Sequence, residues 1–209
     1  LQVSFTGGAA GTTLNQITIN GDKRKDGLSD GDVFFDTAAG GLGAFSYDGL
    51  KIVSADGFTV NSVTVVDGGS QIIFDLTGFD AGEKLVFSVD ADEAQYVDGA
   101  NVDANSLVEG EEFQRSWLEG KFTAVGYVDL TMTAQFWDNF DPNFAQAQQE
   151  TGLTLNLPND QYAPDHDYTD RTAGAVVHQA QIPLATISGW VYHDRSDDGI
   201  FNQGPEEGI

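Results

Sequence analysis

Short β-rich runs broken by Gly, Asp and Asn turns recur along almost the whole chain, and this alternation limits the possible folds more than any other feature. The candidate strands are Gln2–Phe5, Leu14–Asn20, Ala44–Val53, Phe58–Val66, Gln71–Leu76, Lys84–Asp90, Glu112–Ala124, Tyr127–Phe136, Leu153–Leu157, Ala175–Ile182 and Ile187–Tyr192. Val63 and Val65 on one side, and Ile73 and Phe74 on the other, flank Asp67-Gly68-Gly69-Ser70, a hairpin signal. Asp56-Gly57 and Asp80-Ala81-Gly82 punctuate the chain in the same way. With 25 Gly and strands at this spacing, the expected fold is all-β, a β-sandwich or jelly roll. One segment reads as a helix. Asp141-Pro142 supplies the cap, residues 143–150 the Ala and Gln filler, and Thr151-Gly152 the stop. About two turns cannot stand alone in water, so packing through Phe140 and Phe144 is expected to hold it. Trp117, Phe136 and Trp137 are expected inside the fold or at a sheet–sheet seam. Residues 159–171 read as a polar surface loop.

Charge limits the partners. Nine basic against thirty-three acidic residues give 9 − 33 = −24. Such a field repels nucleic acid and anionic lipid and favours divalent cations, high-salt surroundings or simple solubility. The chain has no Cys, so neither disulfides nor Cys-based metal or nucleophile chemistry can exist. No apolar run approaches membrane-spanning length. We expect an extracellular globular protein held by its core and helped by metal.

The last twenty-odd residues carry the sharpest motif. Asp194, Ser196 and Asp198 occupy relative positions 1, 3 and 5 of a loop, with Gly199 at 6. That spacing aims oxygen ligands at one point, and the carbonyl of Ile200 and the side chain of Asn202 follow at 7 and 9. Position 12 is Pro205, and Glu206 and Glu207 are the alternatives for the closing ligand. The expected cofactor is Ca²⁺. Gly189, Val191, Tyr192, Asp194, Asp198, Gly199, Gly204, Gly208 and Ile209 resemble the opening of an SdrD B-like (Cna B-type) module of bacterial surface proteins, about a tenth of the chain. The resemblance implies calcium binding in this loop and a spacer role in adhesins. It also places a boundary near Ile182-Pro183, with a β-sandwich domain in residues 1–182 and the incomplete module in 183–209. More loosely, the stretches 32–40, 78–93 and 109–116 look like a β domain found ahead of such modules in planctomycete-type surface proteins, which implies surface location but no activity.

Three further acidic clusters are candidates for oxygen-only cation sites. Asp22, Asp26, Asp30 and Asp32 lie in a Gly-rich stretch; Asp90, Asp92 and Glu93 follow a strand, with Asp98, Asn101 and Asp103 in the next loop; Asp165, Asp167 and Asp170 surround His166. Asp90 and Asp92 are the strongest of these, against the plain alternative that Asp and Asn favour turns. Signatures of catalysis are poor. His166, His178 and His193 are far apart, and neither a Gly-x-Ser-x-Gly elbow nor a phosphate-cradling loop occurs. His178 reads as a sheet-face residue. A non-enzymatic role is expected. Lys51, Lys84 and Lys121 could enter an isopeptide bond of the kind known in modules of this wider class, although solvated lysines are the simpler reading.

Two functions remain. One is a calcium-stabilised structural or adhesive module of a cell-surface protein, associating with neighbouring domains or with itself if the strand Ile187–Val191 pairs with another chain. The other is a carbohydrate-binding module using exposed aromatics among Trp117, Tyr127, Trp137, Tyr162 and Tyr168, most of which should by ordinary burial belong to the core.

Overall fold

The computed structural model describes residues 1–39, 43, 47–98, 101–106, 110–155 and 172–185. Thirteen strands and one α-helix occur among them. In chain order they are β1 (Gln2–Ser4), β2 (Thr13–Asn20), β3 (Val33–Phe35), β4 (Lys51–Ala55), β5 (Thr59–Val65), β6 (Gln71–Phe79), β7 (Lys84–Ser88), β8 (Ala91–Asp98), β9 (Asn101–Ser106), β10 (Trp117–Thr123), β11 (Leu130–Gln135), β12 (Trp137–Asp138), α1 (Pro142–Thr151) and β13 (Ala173–Gly174). Every strand pair is antiparallel. The strands form a five-stranded sheet in the order β11-β10-β2-β6-β5, a three-stranded sheet β1-β7-β4, a second three-stranded sheet β3-β8-β9 and the small pair β12-β13. The fold is an all-β sandwich.

Alternation on the strands makes the core. Ile17 and Ile19 of β2, and Ile72, Phe74 and Leu76 of β6, turn inward and are buried. They meet Leu85 and Phe87 of β7, and the rings of Phe74 and Phe87 lie 4.8 Å apart between centroids. Phe5 meets Phe122 at 5.3 Å, and Phe58 stacks on Phe79 at 4.2 Å. Gly120, opposite Ile17 on β10, is required by this packing, because a Cβ there would come 2.8 Å from the Phe122 ring and 3.2 Å from Leu14 Cδ1.

The hairpin read at 67–70 forms, with Val65 opposite Ile72 and Val63 opposite Phe74. The helix also forms where its caps place it. The Asp141 carboxylate accepts the N–H of Asn143 at 2.8 Å, and Gly152 closes the end at φ 69°. Phe144 is its buried residue, whereas Phe140, just ahead of the helix, is 62% exposed.

Several strand boundaries differ from the sequence reading. Residues 33–35, 91–98 and 101–106, not expected as strands, form β3, β8 and β9. The stretch holding Asn101 and Asp103, read as a loop, is a hairpin partner in which Asp98 faces Asn101 and Tyr96 faces Asp103. Tertiary pairing overrides the low strand propensity of these acidic segments, because Phe34 and Ala94 are fully buried there. The run beginning at Ala44 yields a strand only over Lys51–Ala55, and Ala44 itself lies outside the described residues. Residues 110–113 make a turn of 3₁₀-helix ahead of β10, β11 starts only at Leu130, and 153–155 and 175–182 are not strands. His178 is therefore an exposed residue of an irregular segment, not a sheet-face residue. That segment is nevertheless tied down. The Gln181 side chain accepts the Ala9 N–H and the Thr12 hydroxyl, both at 2.8 Å. Val128 N–H donates to Ile182 O, and across the proposed domain boundary Leu184 N–H donates to Gly126 O.

Candidate functional site

The outer face of the five-stranded sheet is built by the same alternation that builds the core. Register sets three rows of outward side chains across β10, β2 and β6. Trp117 stands opposite Asn20 and Asn20 opposite Gln71; Glu119 opposite Thr18 and Thr18 opposite Ile73; Lys121 opposite Gln16 and Gln16 opposite Asp75. With Asp22 and Lys25 at the rim, these rows enclose a groove of about 400 Å³. Only Trp117 and Ile73 among the lining residues are apolar. Asp22 and Glu119 face Lys25 and Lys121 in the lining, and Asp75 on the floor adds a third carboxylate.

Hydrogen bonds fix its floor. Gln16 Nε2 donates to Asp75 at 2.7 Å and the Ser62 hydroxyl donates to the other Asp75 oxygen at 2.8 Å. These two bonds, led by Gln16 and aided more weakly by Lys121, hold the Asp75 carboxyl below its ordinary pKa. Trp117 is clamped at both ends. Its indole N–H donates to Lys23 O at 3.1 Å, and Lys25 Nζ sits 3.9 Å from the ring centroid.

The clamp depends on the Asp22–Asp32 stretch, one of the acidic clusters considered for metal. The structure gives its two buried carboxylates a different task. Asp32 accepts Lys23 N–H at 3.0 Å, and Ser29 N–H and hydroxyl, both at 2.7 Å. Asp22 accepts Gly27 N–H at 2.8 Å and Asp26 N–H at 3.3 Å, while its own N–H donates to Asn20. These bonds fold residues 22–32 into the loop that carries Lys23 and Lys25 to Trp117. Behind it, burial lowers the Lys23 pKa against the opposing pull of Glu93, Asp32 and Glu112. Burial also raises Glu93, which Lys23 partly offsets.

The other candidates are scattered. Asp194, Ser196, Asp198, Ile200, Asn202, Glu206 and Glu207 lie outside the described residues, as do the strand Ile187–Val191, Tyr162, Tyr168 and the Asp165–Asp170 cluster. Asp92 is buried in β8, opposite Phe34 on one side and Ser106 on the other. Asp90 lies just before that strand and accepts the N–H of Ala91. Among the described residues, no three Asp, Glu or His side chains close on a common point. Lys51 is in an exposed ion pair with Asp48, and Lys84 and Lys121 are exposed, so all three stand as solvated lysines. The sequence singled out Trp117, Asp22 and Lys121 separately but did not bring them together. The polar members of 16–20 and 117–121 alternate visibly, yet only the pairing of β2 with β10, about a hundred residues apart, joins them. No helix among the described residues is long and apolar enough to cross a membrane. No protein-family model, curated protein or solved structure matches the chain.

Proposed function

We propose that the chain is a non-catalytic adhesive module of an extracellular surface protein, and that the groove around Trp117 takes an uncharged glycan. The carrying observation is the groove itself. An aromatic ring stands among Gln16, Asn20, Gln71 and side chains of both charges on a sheet face. A polyhydroxylated ligand needs many donors and acceptors, one apolar platform and no net charge to oppose it. The −24 charge of the whole chain disfavours anionic partners. The C-terminal resemblance to a surface-protein module supports the setting, with calcium held by the Asp194–Asn202 loop and closed by Glu206 or Glu207.

A ring stacked on Trp117 displaces the Lys25 ammonium, an exposed cation–π contact worth about 0.5–1 kcal/mol. A glycan array followed by calorimetry on the hits tests the reading. Trp117→Ala and Glu119→Ala should each weaken binding by roughly tenfold or more, a loss of about 1.4 kcal/mol or more. Lys25→Ala should strengthen it by about two- to fivefold. Glycan binding indifferent to both Trp117→Ala and Glu119→Ala, in variants that keep their melting points, removes the groove from the function.

A further inference from the structure

A second site lies away from the groove, where the Asp67 turn between β5 and β6 docks on the end of β3. Gly68 N–H donates to Phe35 O and Phe35 N–H to Gly69 O, both at 2.9 Å, which fixes the turn against the strand. The Asp67 carboxylate then accepts the N–H groups of Thr37 at 2.8 Å and Ala38 at 2.9 Å through one oxygen. Asp36, immediately before them, is 6% exposed; its carboxyl shares the Ala38 N–H and faces that of Asp67 within hydrogen-bonding reach. Its Oδ1 is buried with no hydrogen-bond partner. The charges that act on it are both acidic, Asp67 and Asp90, and the Asp36 N–H donates to Asp90 O at 3.2 Å. Gly43 closes over the group, since a Cβ at that position would collide with the Asp36 carboxylate.

A buried carboxylate oxygen without a donor is expensive, and two facing carboxylates repel unless a positive charge lies between them. No basic residue is among the charges acting on Asp36. We propose that Asp36 and Asp67 bind a hard divalent cation of the calcium class, with Asp90 adding to the negative field. Two carboxylates with backbone carbonyls and water make an adequate oxygen shell for calcium. The cation ties the β5–β6 turn to the end of β3, and in a chain of net charge −24 it also relieves self-repulsion. This site is separate from the C-terminal Asp194 loop.

The test is calorimetric titration of the full chain with calcium chloride, together with melting in calcium and in EGTA. A background carrying Asp194→Ala and Asp198→Ala isolates the site from the C-terminal loop. In that background calcium should still bind, and at a hundredfold excess over Kd it should raise the melting point by roughly 5–11 °C. Adding Asp36→Asn, which keeps the side chain's shape, should weaken binding at least tenfold and abolish the shift. If that variant does not fold, Asp67→Asn serves in its place, because its amide oxygen can still accept from Thr37 and Ala38. Loss of the calcium response on Asp194→Ala and Asp198→Ala alone overturns the proposal. So does a response that survives both Asp36→Asn and Asp67→Asn, and so does no response with Asp36→Asn more stable than the parent at neutral pH, which would mean that the pair shares a proton.

Discussion

Replacing Asp32 by Ala tests whether the loop over the groove is organised by its own buried carboxylates. Asp32 is 1% exposed, and its two oxygens accept three hydrogen bonds, from Lys23 N–H, Ser29 N–H and the Ser29 hydroxyl. Bonds to an ionised acceptor contribute about 1.5–3 kcal/mol each, but Lys23 and Ser29 are only half-buried and water recovers part of the loss. A net cost of about 3 kcal/mol follows, equivalent to a fall of roughly 6–12 °C in melting point for a domain of this size. Asp32→Asn keeps one acceptor but turns a donor toward a donor, so it should cost about half as much. The second readout is local. Lys23 O holds the Trp117 indole N–H, and Lys25 covers the ring, so releasing the loop should speed solvent exchange of that indole proton. Urea melts and the exchange rate of the Trp117 indole resonance measure both. An Asp32→Ala protein that melts within about 1 °C of the parent, with Trp117 equally protected, refutes the argument.

Gly120→Ala should cost about 1–3 kcal/mol, because the new methyl meets the Phe122 ring and Leu14; a melt within error of the parent would mean that the sheet interior yields freely there. Glu93 makes stability depend on pH with a definite sign. Burial raises its folded pKa above the ordinary carboxylate value, so its contribution is fully present below the unfolded pKa and is lost as pH rises through the folded one. Glu93→Gln should therefore stabilise the protein near neutral pH and lose that advantage in acid, and melts at the two ends of this window would expose an error in sign.

What the sequence made legible is what short stretches decide for themselves. The 67–70 hairpin needs only its Asp-Gly-Gly turn between apolar partners, and α1 needs only Asp141, Pro142 and Gly152 in order. The β3-β8-β9 sheet was not legible, because Asp92, Glu93, Asp98 and Asp103 argue locally for loops. The strands exist because Phe34 and Ala94 are buried between elements that the chain brings together from afar. The acidic clusters fail as a sequence signal for a related reason. In Asp22 and Asp32 the carboxylates are consumed by neighbouring backbone N–H groups, whereas in Asp36 one oxygen remains buried without a donor. Counting Asp residues cannot separate these cases, since the difference lies in whether the local backbone presents donors. The same reasoning separates the tryptophans. Trp117 and Trp137 look alike in sequence, but among the described residues Trp137 belongs to the two-residue strand β12, paired with β13. Trp117 begins β10 beside the central strand β2, and that register surrounds it with the polar rows of the five-stranded sheet. A binding face on this chain is therefore a property of strand order rather than of any motif, and it becomes readable once β2 is known to lie between β10 and β6.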